Sequence, residues 1–187
     1  MKAFYTLLIL LIPFVGFGQE TESEPLYKMD ITDSKTNLIT FEEVIPVEGV
    51  SSTELYSELK EWFVTRFNNA EGVLHMDDRE SGKLIGKTFT NIQVGSLDVR
   101  RTEFTIKILI REGRIKYTLT DFVMNLQIQY SEPMPLEEII VDNLYKKSGK
   151  VMKKWATYKE ELIKFAQLIS SDLKESVKDL STKGDDW

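Results

Sequence analysis

The sequence predicts an α+β fold, in which an antiparallel twisted sheet carries one helix from the first half of the chain and one long C-terminal helix on one face. Residues 99–111 alternate apolar and polar side chains with a period of two, which indicates a strand with one buried face. Residues 151–180 place apolar side chains every three or four positions, which predicts a helix of about 30 residues, long enough to cross a sheet. The alternative is a helix-grip fold, in which the long helix closes a strongly bent sheet over a ligand cavity.

Residues 1–18 have the layout of a cleavable secretory signal peptide. Lys2 precedes a short apolar run, and two small residues, Gly16 and Gly18, stand just before Gln19. The run of roughly 13–15 residues is shorter than the ~20 that span a bilayer, so we expect cleavage after Gly18 rather than a membrane anchor. The chain has no cysteine, which excludes lipidation at the cut, disulfides and thiolate sites. We therefore expect a periplasmic or secreted protein that is not a lipoprotein.

Composition bounds the organisation and the partners. The 187 residues carry a formal net charge of −6, and residues 1–18 hold one lysine and no acid, so the mature chain would carry −6 − 1 = −7. Because binding to phosphate backbones needs clustered Lys and Arg, this charge argues against a nucleic-acid partner. We expect a flexible leader at 19–25, a single α+β domain at 26–180 and a disordered tail at 181–187.

Several short strands are predicted before the long one. Residues 26–31 are interpreted as a first strand and residues 38–47 as the next. Pro46 cannot donate to a ladder, so it places the second of these at a sheet edge or a bulge. Residues 73–76 and 83–94 are predicted to be strands joined by a polar turn over the intervening positions.

Residues 52–67 carry the clearest helix signal in the chain. Ser51 and Glu54 form an S-x-x-E capping box, and Val50 is placed to pack on Leu55 as a hydrophobic staple. One apolar face follows at helical spacing: Leu55, Leu59, Trp62, Phe63 and Phe67.

A two-residue loop at Glu112 and Gly113 predicts a hairpin between residues 99–111 and the strand that follows. That loop length sets one register, in which apolar residues face apolar residues throughout. The predicted pairs are Ile110 with Ile115, Ile108 with Tyr117, and Ile106 with Leu119.

The C-terminal third is less uniform. Residues 121–130 either extend the sheet or leave it, and residues 136–145 fit either a short helix or an ordered loop. The long final helix is expected to turn its charged residues to solvent: Lys153, Lys159, Glu160, Lys164, Lys174 and Glu175.

The candidate catalytic and metal-binding residues lie around the turn that follows residue 76. His75 is the only histidine, and no G-x-S-x-G elbow accompanies it, so a strand residue beside a turn is the simplest interpretation. Asp77, Asp78 and Glu80 could act as paired carboxylates or calcium ligands, although Arg79 stands where the calcium-loop pattern needs an acid. An exposed hairpin turn explains the same residues without a ligand, and we favour it.

Two basic groups are candidate anion sites. The first is predicted on the outer face of the hairpin: Arg101, Lys107, Arg111, Arg114 and Lys116. The second lies in a loop and the start of the last helix: Lys146, Lys147, Lys150, Lys153 and Lys154. Antiparallel strands with one solvated face often look like the first group, and no Gly-rich phosphate loop indicates a nucleotide cofactor.

Several segments together resemble a known family. They are Phe41-Glu42-Glu43-Val44-Ile45, Val50-Ser51, Leu55-Tyr56, Glu61-Trp62, and the run DDRESGKLIGK from Asp77 to Lys87. The family comprises exported Gram-negative bacterial proteins, classed as a domain of unknown function with a TATA-binding-protein-like fold. The resemblance covers residues 26–120 and implies a curved antiparallel sheet with helices on one face. It implies no activity, cofactor or catalytic residue, and a likeness of shape does not imply DNA binding.

We therefore expect an exported, non-catalytic module that binds a partner protein or an envelope polymer. No catalytic, cofactor-binding or metal-binding residue is assigned. The alternative is a carrier for an apolar small ligand held between the sheet and the long helix, as aromatic residues of the helical stripes suggest: Trp62, Phe63, Trp155 and Phe165. Core packing would explain the same aromatics, and an enzyme ranks third.

Overall fold

The computed structural model of the chain describes residues 24–67, 73–125, 132–178 and 180. A short 3-10 turn at Leu26–Lys28 precedes the other elements. These are β1 (Phe41–Pro46), α1 (Ser52–Phe67), β2 (Leu74–Asp78), β3 (Lys83–Gln93), β4 (Val99–Arg111), β5 (Arg114–Asn125), β6 (Met134–Pro135), α2 (Leu136–Ile140) and α3 (Lys153–Lys178). The predicted signal peptide, almost all of the predicted leader and the predicted tail lie outside the described residues.

The strands form one antiparallel sheet in the order β1-β5-β4-β3-β2, and β6 pairs with the far end of β5. α1 and α3 contact each other and the strands, and buried side chains of sheet and helices form one hydrophobic cluster. The predicted α+β architecture, with a first-half helix and a long C-terminal helix on one face, is therefore confirmed. Within the described ranges, no helix combines the length and the apolar character needed to cross a membrane.

The hairpin between β4 and β5 has the predicted register. Ile110 pairs with Ile115 and Ile108 with Tyr117, and Arg111 lies opposite Arg114. The apolar residues of these pairs are buried under the helices, so the two-residue loop was sufficient to fix which face of each strand points to the core. β2 runs further than the predicted strand, and the turn into β3 therefore begins later than expected.

A bulge in β5 explains why the sequence pattern became ambiguous there. Up to Leu119, buried residues such as Ile115 stand at odd positions, whereas Phe122 and the next buried residue stand at even positions. Asp121 lies between the two phases with a φ of 54°, and the β4–β5 register shifts at this point. β5 then continues to its end, so the part of residues 121–130 that is described extends the sheet.

The capping of α1 is confirmed. The Ser51 N–H donates to the Glu54 carboxylate at 3.0 Å, and the Glu54 N–H donates to Ser51 Oγ at 3.2 Å. Val50 and Leu55 are both buried, as the predicted staple requires. These contacts fix the start of the helix at the point where its apolar face meets the sheet.

The predicted strand at residues 26–31 is wrong. The chain makes a 3-10 turn there, and the strand expected from residue 38 begins only at Phe41. The cause is a turn in which the Asp33 carboxylate accepts the N–H of Thr36 at 2.9 Å, so that the chain reverses and Thr40 donates its N–H to Ile31 O at 2.9 Å. The position of Pro46 on an edge strand is confirmed.

The C-terminal elements resolve the remaining alternatives. Residues 136–145 form the short helix α2 followed by turns. α3 begins at Lys153 rather than Val151, because Val151 forms an isolated bridge with Tyr145. The expectation that Lys159 faces solvent is wrong, since this residue is buried and only 6% exposed.

Aromatic side chains fill the space between the helices and the sheet. The Phe104 ring of β4 contacts the Phe165 ring of α3, with centroids 5.2 Å apart. Trp62 and Phe63 of α1 meet edge to face at 5.9 Å, and Trp155 is half-buried against the same core. The residues that suggested a ligand carrier are thus packed on the core.

Candidate functional site

Asp77 of the acidic cluster is engaged by α1. It pairs with Leu84, whose side chain is buried beneath the helices, so Asp77 lies on the helix side of the sheet. Its carboxylate forms a 2.7 Å ion pair with Lys60 Nζ and accepts a hydrogen bond from the Tyr56 hydroxyl. These two partners lower the pKa of Asp77, with Lys60 making the larger contribution.

The other members of the cluster point elsewhere. The Asp78 carboxylate accepts the Ser81 N–H at 3.0 Å and the Ser81 hydroxyl at 2.6 Å, which closes the β2–β3 turn. Glu80 is exposed in that turn, and His75 is exposed on β2. Across the described residues no group of three or more His, Asp or Glu is arranged to hold a metal ion. The structure therefore separates the three acids that the sequence placed together.

The sheet face opposite the helices carries a band of positive charge. Side chains of a strand point alternately to the two faces of a sheet. In β3, β4 and β5 one set is buried under the helices, so the other set lies on the uncovered face. We call the following six residues of β3, β4 and β5 the basic face: Lys83, Lys87, Lys107, Arg111, Arg114 and Lys116. Glu42 and Asp78 lie on the strands beside it, and Glu103 of β4 lies on the same face close to Lys87.

Most of the basic face is not neutralised. Lys116 forms an ion pair with Glu42 at 2.9 Å, and the Arg111 guanidinium donates to Ser81 O at 3.1 Å. Within the ranges that the structure describes, the other four cations have no carboxylate within 4 Å. Exposed Val44 lies beside Lys116 in the β1–β5 register, so apolar side chains are interleaved with the charges. Such a surface attracts anions in a protein whose net charge is negative.

Arg101 lies on the same sheet face, as predicted, but farther along β4, where its neighbours engage its charge. Its guanidinium lies 3.6 Å from the centroid of the Phe89 ring and 3.6 Å from the Glu103 carboxylate. The Asn125 side-chain amide donates to Glu103 at 2.5 Å, so the carboxylate links two residues of this end of the sheet. The sequence therefore placed all five predicted cations on the correct face and missed Lys83 and Lys87, although the alternation along β3 marks both.

The second predicted basic group is dispersed over a loop and a helix start. Lys146, Lys147 and Lys150 are exposed in the segment before α3. Lys154 instead forms an ion pair with Asp98 at 2.8 Å. The group therefore offers separate surface lysines and no shared site.

A groove runs between the edge strand β1 and the helix α3. Its first part, about 500 Å³, lies between Phe41 and Glu43 on one side and Ile163 and Ser170 on the other. Its second part, about 510 Å³, continues along residues 45–48 and the end of α3. Lys174 lines both parts, so the two are neighbours. We call this feature the β1–α3 groove.

An ion pair lies at the centre of the groove. Lys174 Nζ is 2.6 Å from the Glu43 carboxylate, which also accepts the Ser170 hydroxyl at 2.6 Å and the Tyr117 hydroxyl at 3.5 Å. Lys174 and then Ser170 lower the pKa of Glu43, whereas burial raises the pKa of Tyr117. The centre of the groove is therefore polar. Glu43 received no role from the sequence, since its partners are more than 70 positions away.

Comparison with known proteins agrees with the fold. Residues 41–125 match a family described as a domain of unknown function (DUF4468) with TBP-like fold. A TBP-like protein from Parabacteroides distasonis is 12% identical with a TM-score of 0.66, over 80% of this chain and 98% of that one. A DUF4468 family protein from Bacteroides ovatus is 16% identical with a TM-score of 0.66, over 83% of this chain and 95% of that one. No curated protein matches the chain. The predicted family resemblance is confirmed, and the low identities to both structures show the fold alone.

Proposed function

We propose that this TBP-like domain protein is an exported, non-catalytic binding module that holds an anionic polymer of the cell envelope on its basic face. The observation that carries the proposal is the local reversal of charge. The six cations of the basic face outnumber the carboxylates on the strands around them, Glu42, Asp78 and Glu103, in a chain with a net charge of −6. Neither the matched family nor the similar structure from Parabacteroides distasonis is described as an enzyme.

The shape of the surface suits an extended polymer better than a small ion. The cations are spread over three neighbouring strands that lie about 4.8 Å apart, so they present a plane of charge rather than a cradle. A polyanion could contact several of them at once and gain from each weak contact without a deep pocket. Most of these cations have no carboxylate partner, so they need not break ion pairs to bind. Export, which residues 1–18 favour, would place such a surface beside envelope polysaccharides.

The test is binding to polygalacturonate, with dextran as the uncharged control polymer. We expect binding to polygalacturonate that weakens between about 50 and 200 mM salt, and no binding to dextran. The double variant Lys107→Glu, Arg114→Glu should weaken binding at least about tenfold. The matched control is Lys146→Glu, Lys147→Glu, which changes the net charge equally in the exposed loop and should change binding less than about twofold.

Three results would contradict the proposal. The loop control could weaken binding as much as the face variant, which would mean that only net charge matters. The protein could bind dextran as well as polygalacturonate, which would remove the role of charge. Duplex DNA at equal phosphate and carboxylate concentration could bind more tightly than polygalacturonate, which would favour a nucleic-acid partner instead.

A carrier for an apolar small ligand is the second candidate, and the β1–α3 groove is the observation that favours it. Ile163 and Ala166 give the first part of the groove an apolar wall between sheet and long helix. The ion pair of Glu43 and Lys174 at its centre counts against an apolar occupant, because an apolar ligand would cover charges without bonding them. Binding of a fluorescent fatty acid that an unlabelled apolar ligand displaces would support the carrier. If no such binding is measured, the binding module is the function that we retain.

A further inference from the structure

We propose that the β1–α3 groove binds an extended, positively charged peptide, which adds to the free edge of β1 as another strand. This site adjoins the basic face, because Glu42 lines the groove and pairs with Lys116, but it takes a ligand of the opposite charge. The inference does not depend on the proposed polymer binding. It rests on three observations: which backbone groups of β1 point outward, what lies beside that edge, and which charges line the groove.

Two hydrogen bonds at the ends of β1 fix the direction of its backbone groups. At one end the Val47 N–H donates to Gly113 O at 2.9 Å, toward β5. At the other end the Thr40 N–H donates to Ile31 O at 2.9 Å, away from β5. Because backbone groups alternate along a strand, residues 41, 43 and 45 bond to β5. The N–H and C=O groups of Glu42 and Val44 therefore point away from β5, to the free edge.

This edge is open along the strand. β1 is the last strand of the sheet, and none of the described residues pairs with its outer side beyond the contact at Thr40. The backbone of Pro46, like that of Glu42 and Val44, faces the free edge. A proline is tolerated there because no N–H is needed to bond to β5. An added peptide would therefore find two complete donor and acceptor pairs, at Glu42 and Val44.

α3 supplies the second wall that strand addition needs. A peptide that pairs with a sheet edge gains affinity from main-chain bonds and selectivity from pockets that receive alternate side chains. The two parts of the groove follow β1 from Phe41 to the residues after Pro46, with Ile163 and Val177 marking the extent of the facing helix. At about 3.3 Å per residue the six residues of β1 span roughly 20 Å, so the groove has room for a peptide of similar length.

The charges that line the groove select the peptide. Its lining residues include five acids and two lysines: Asp30, Glu42, Glu43, Glu48, Glu175, Lys174 and Lys178. Glu42, Glu43 and Glu175 already form ion pairs with lysines, so Asp30 and Glu48 supply the remaining negative charge. A peptide with Lys or Arg side chains complements this remaining charge, whereas an acidic one is repelled. Residues 19–23 and 181–187 together contain four acids and one lysine, so by charge these two segments are poor occupants. The partner is therefore a basic segment of another protein.

The experiment is selection of displayed random peptides, about eight residues long, on the full mature protein. We expect the selected peptides to be enriched in Lys and Arg, and a synthetic copy to shift the NMR signals of β1 and α3. In Val44→Pro the outward N–H is lost while the β5 ladder is kept, and the affinity should fall about tenfold. Val44→Thr keeps the N–H and is the matched control.

A second reagent covers the case in which Val44→Pro fails to fold. A peptide that is N-methylated at alternate residues, tested on the unchanged protein, should bind in only one of its two phases, because only one phase bonds to the edge. Equal binding of both phases overturns strand addition, and enrichment of acidic peptides overturns the predicted charge. If no peptide is selected, the edge of β1 is protected from strand addition. If the protein self-associates and Val44→Pro abolishes the association, the groove binds a second copy of the chain. Either result overturns the proposal.

Discussion

Gly86 of β3 lies directly against the Phe63 ring of α1. A β-carbon at residue 86 would come within 2.7 Å of Phe63 Cζ and 2.8 Å of Val73 O, closer than such atoms approach in folded proteins. The absence of a side chain at this position lets the helix approach the sheet, and Phe63 fills the space that results. The glycine is thus a packing requirement of the α1–sheet contact.

Gly86→Ala should therefore lower the free energy of unfolding by about 1–3 kcal/mol, because an added methyl group overfills a packed site. The gain of about 0.5–1 kcal/mol that alanine brings to a strand offsets only part of this. Urea unfolding measures the change. Gly95→Ala is the control, since its nearest neighbour would be Asp98 Cβ at an ordinary 3.7 Å. Equal losses in both variants would contradict the steric explanation.

Asp77→Asn should destabilise the protein by about 1 kcal/mol, since it removes an ion pair and weakens a half-buried hydrogen bond. The pKa of Asp77 is lowered in the folded state, so its contribution is present above pH 3.8 and is lost as pH falls through the lower folded value. The acid limb of a plot of melting temperature against pH should therefore flatten in the variant. Glu80→Gln, at an exposed turn residue, is the control and should change stability at pH 7 by less than about 0.5 kcal/mol.

Calcium should produce neither heat nor a shift in melting temperature when it is titrated into the mature protein. The Asp77 carboxylate is bonded to Lys60, and the Asp78 carboxylate is bonded to Ser81. Neither is free to converge on one ion with Glu80, and calcium needs six to eight oxygen ligands. Heat that disappears in Asp78→Asn would show that the turn rearranges around calcium and would restore the metal hypothesis.

Stability should fall between pH 10 and 12, and Tyr158 should account for part of the fall. Burial raises its pKa to about 12, and its hydroxyl lies 2.6 Å from Thr102 Oγ1. Above pH 10 the unfolded chain releases this proton before the folded protein does, so the slope is at most about 1.4 kcal/mol per pH unit for one group. Tyr158→Phe should reduce this slope, at a cost near neutral pH of about 1 kcal/mol for the lost hydrogen bond. Exposed Tyr145→Phe is the control, and an unchanged slope in Tyr158→Phe would contradict the assignment.

Local patterns determined what the sequence could predict of this fold. The cap at Ser51 and Glu54 involves residues three positions apart, and the pairing of Ile108 with Tyr117 follows from one short loop. Each depends on chemistry within a single turn or hairpin, so it is visible without knowledge of the rest of the chain. The strand predicted at 26–31 failed because Asp33 and its neighbours form a turn that competes with strand pairing.

The candidate sites were harder to predict because they join distant segments. The Ser170 hydroxyl that bonds Glu43 is 127 positions away, and the Ile39 N–H bonds Glu137 across 98 positions. No periodicity encodes such contacts, and the bond between Ser170 and Glu43 joins the two walls of the β1–α3 groove. The basic face is an intermediate case, since the hairpin register placed four of its cations and only the position of β3 in the sheet adds Lys83.

Lys159 shows the same limit within a single helix. Its place on the charged stripe of α3 indicated solvent, but α3 contacts the Leu26–Lys28 turn and the side chain is buried. Burial lowers its pKa, and the Asp30 carboxylate opposes that effect only in part. The buried ammonium therefore reduces stability at neutral pH, and the reduction lessens as pH rises from the lowered pKa toward 10.5.

Lys159→Met should consequently raise the free energy of unfolding at pH 7 by about 1 kcal/mol, because it keeps most of the side-chain volume and removes the buried charge. The difference from the unchanged protein should narrow as pH approaches 10.5, where the unfolded chain also begins to lose this proton. Urea unfolding at pH 7 and near pH 10 measures both effects. Lys164→Met is the matched control, since it removes an exposed lysine of the same helix that pairs with Glu161 and should give no stabilisation. A loss of stability in Lys159→Met at pH 7 would mean instead that the electrostatic attraction between this ammonium and the Asp30 carboxylate outweighs the cost of its burial.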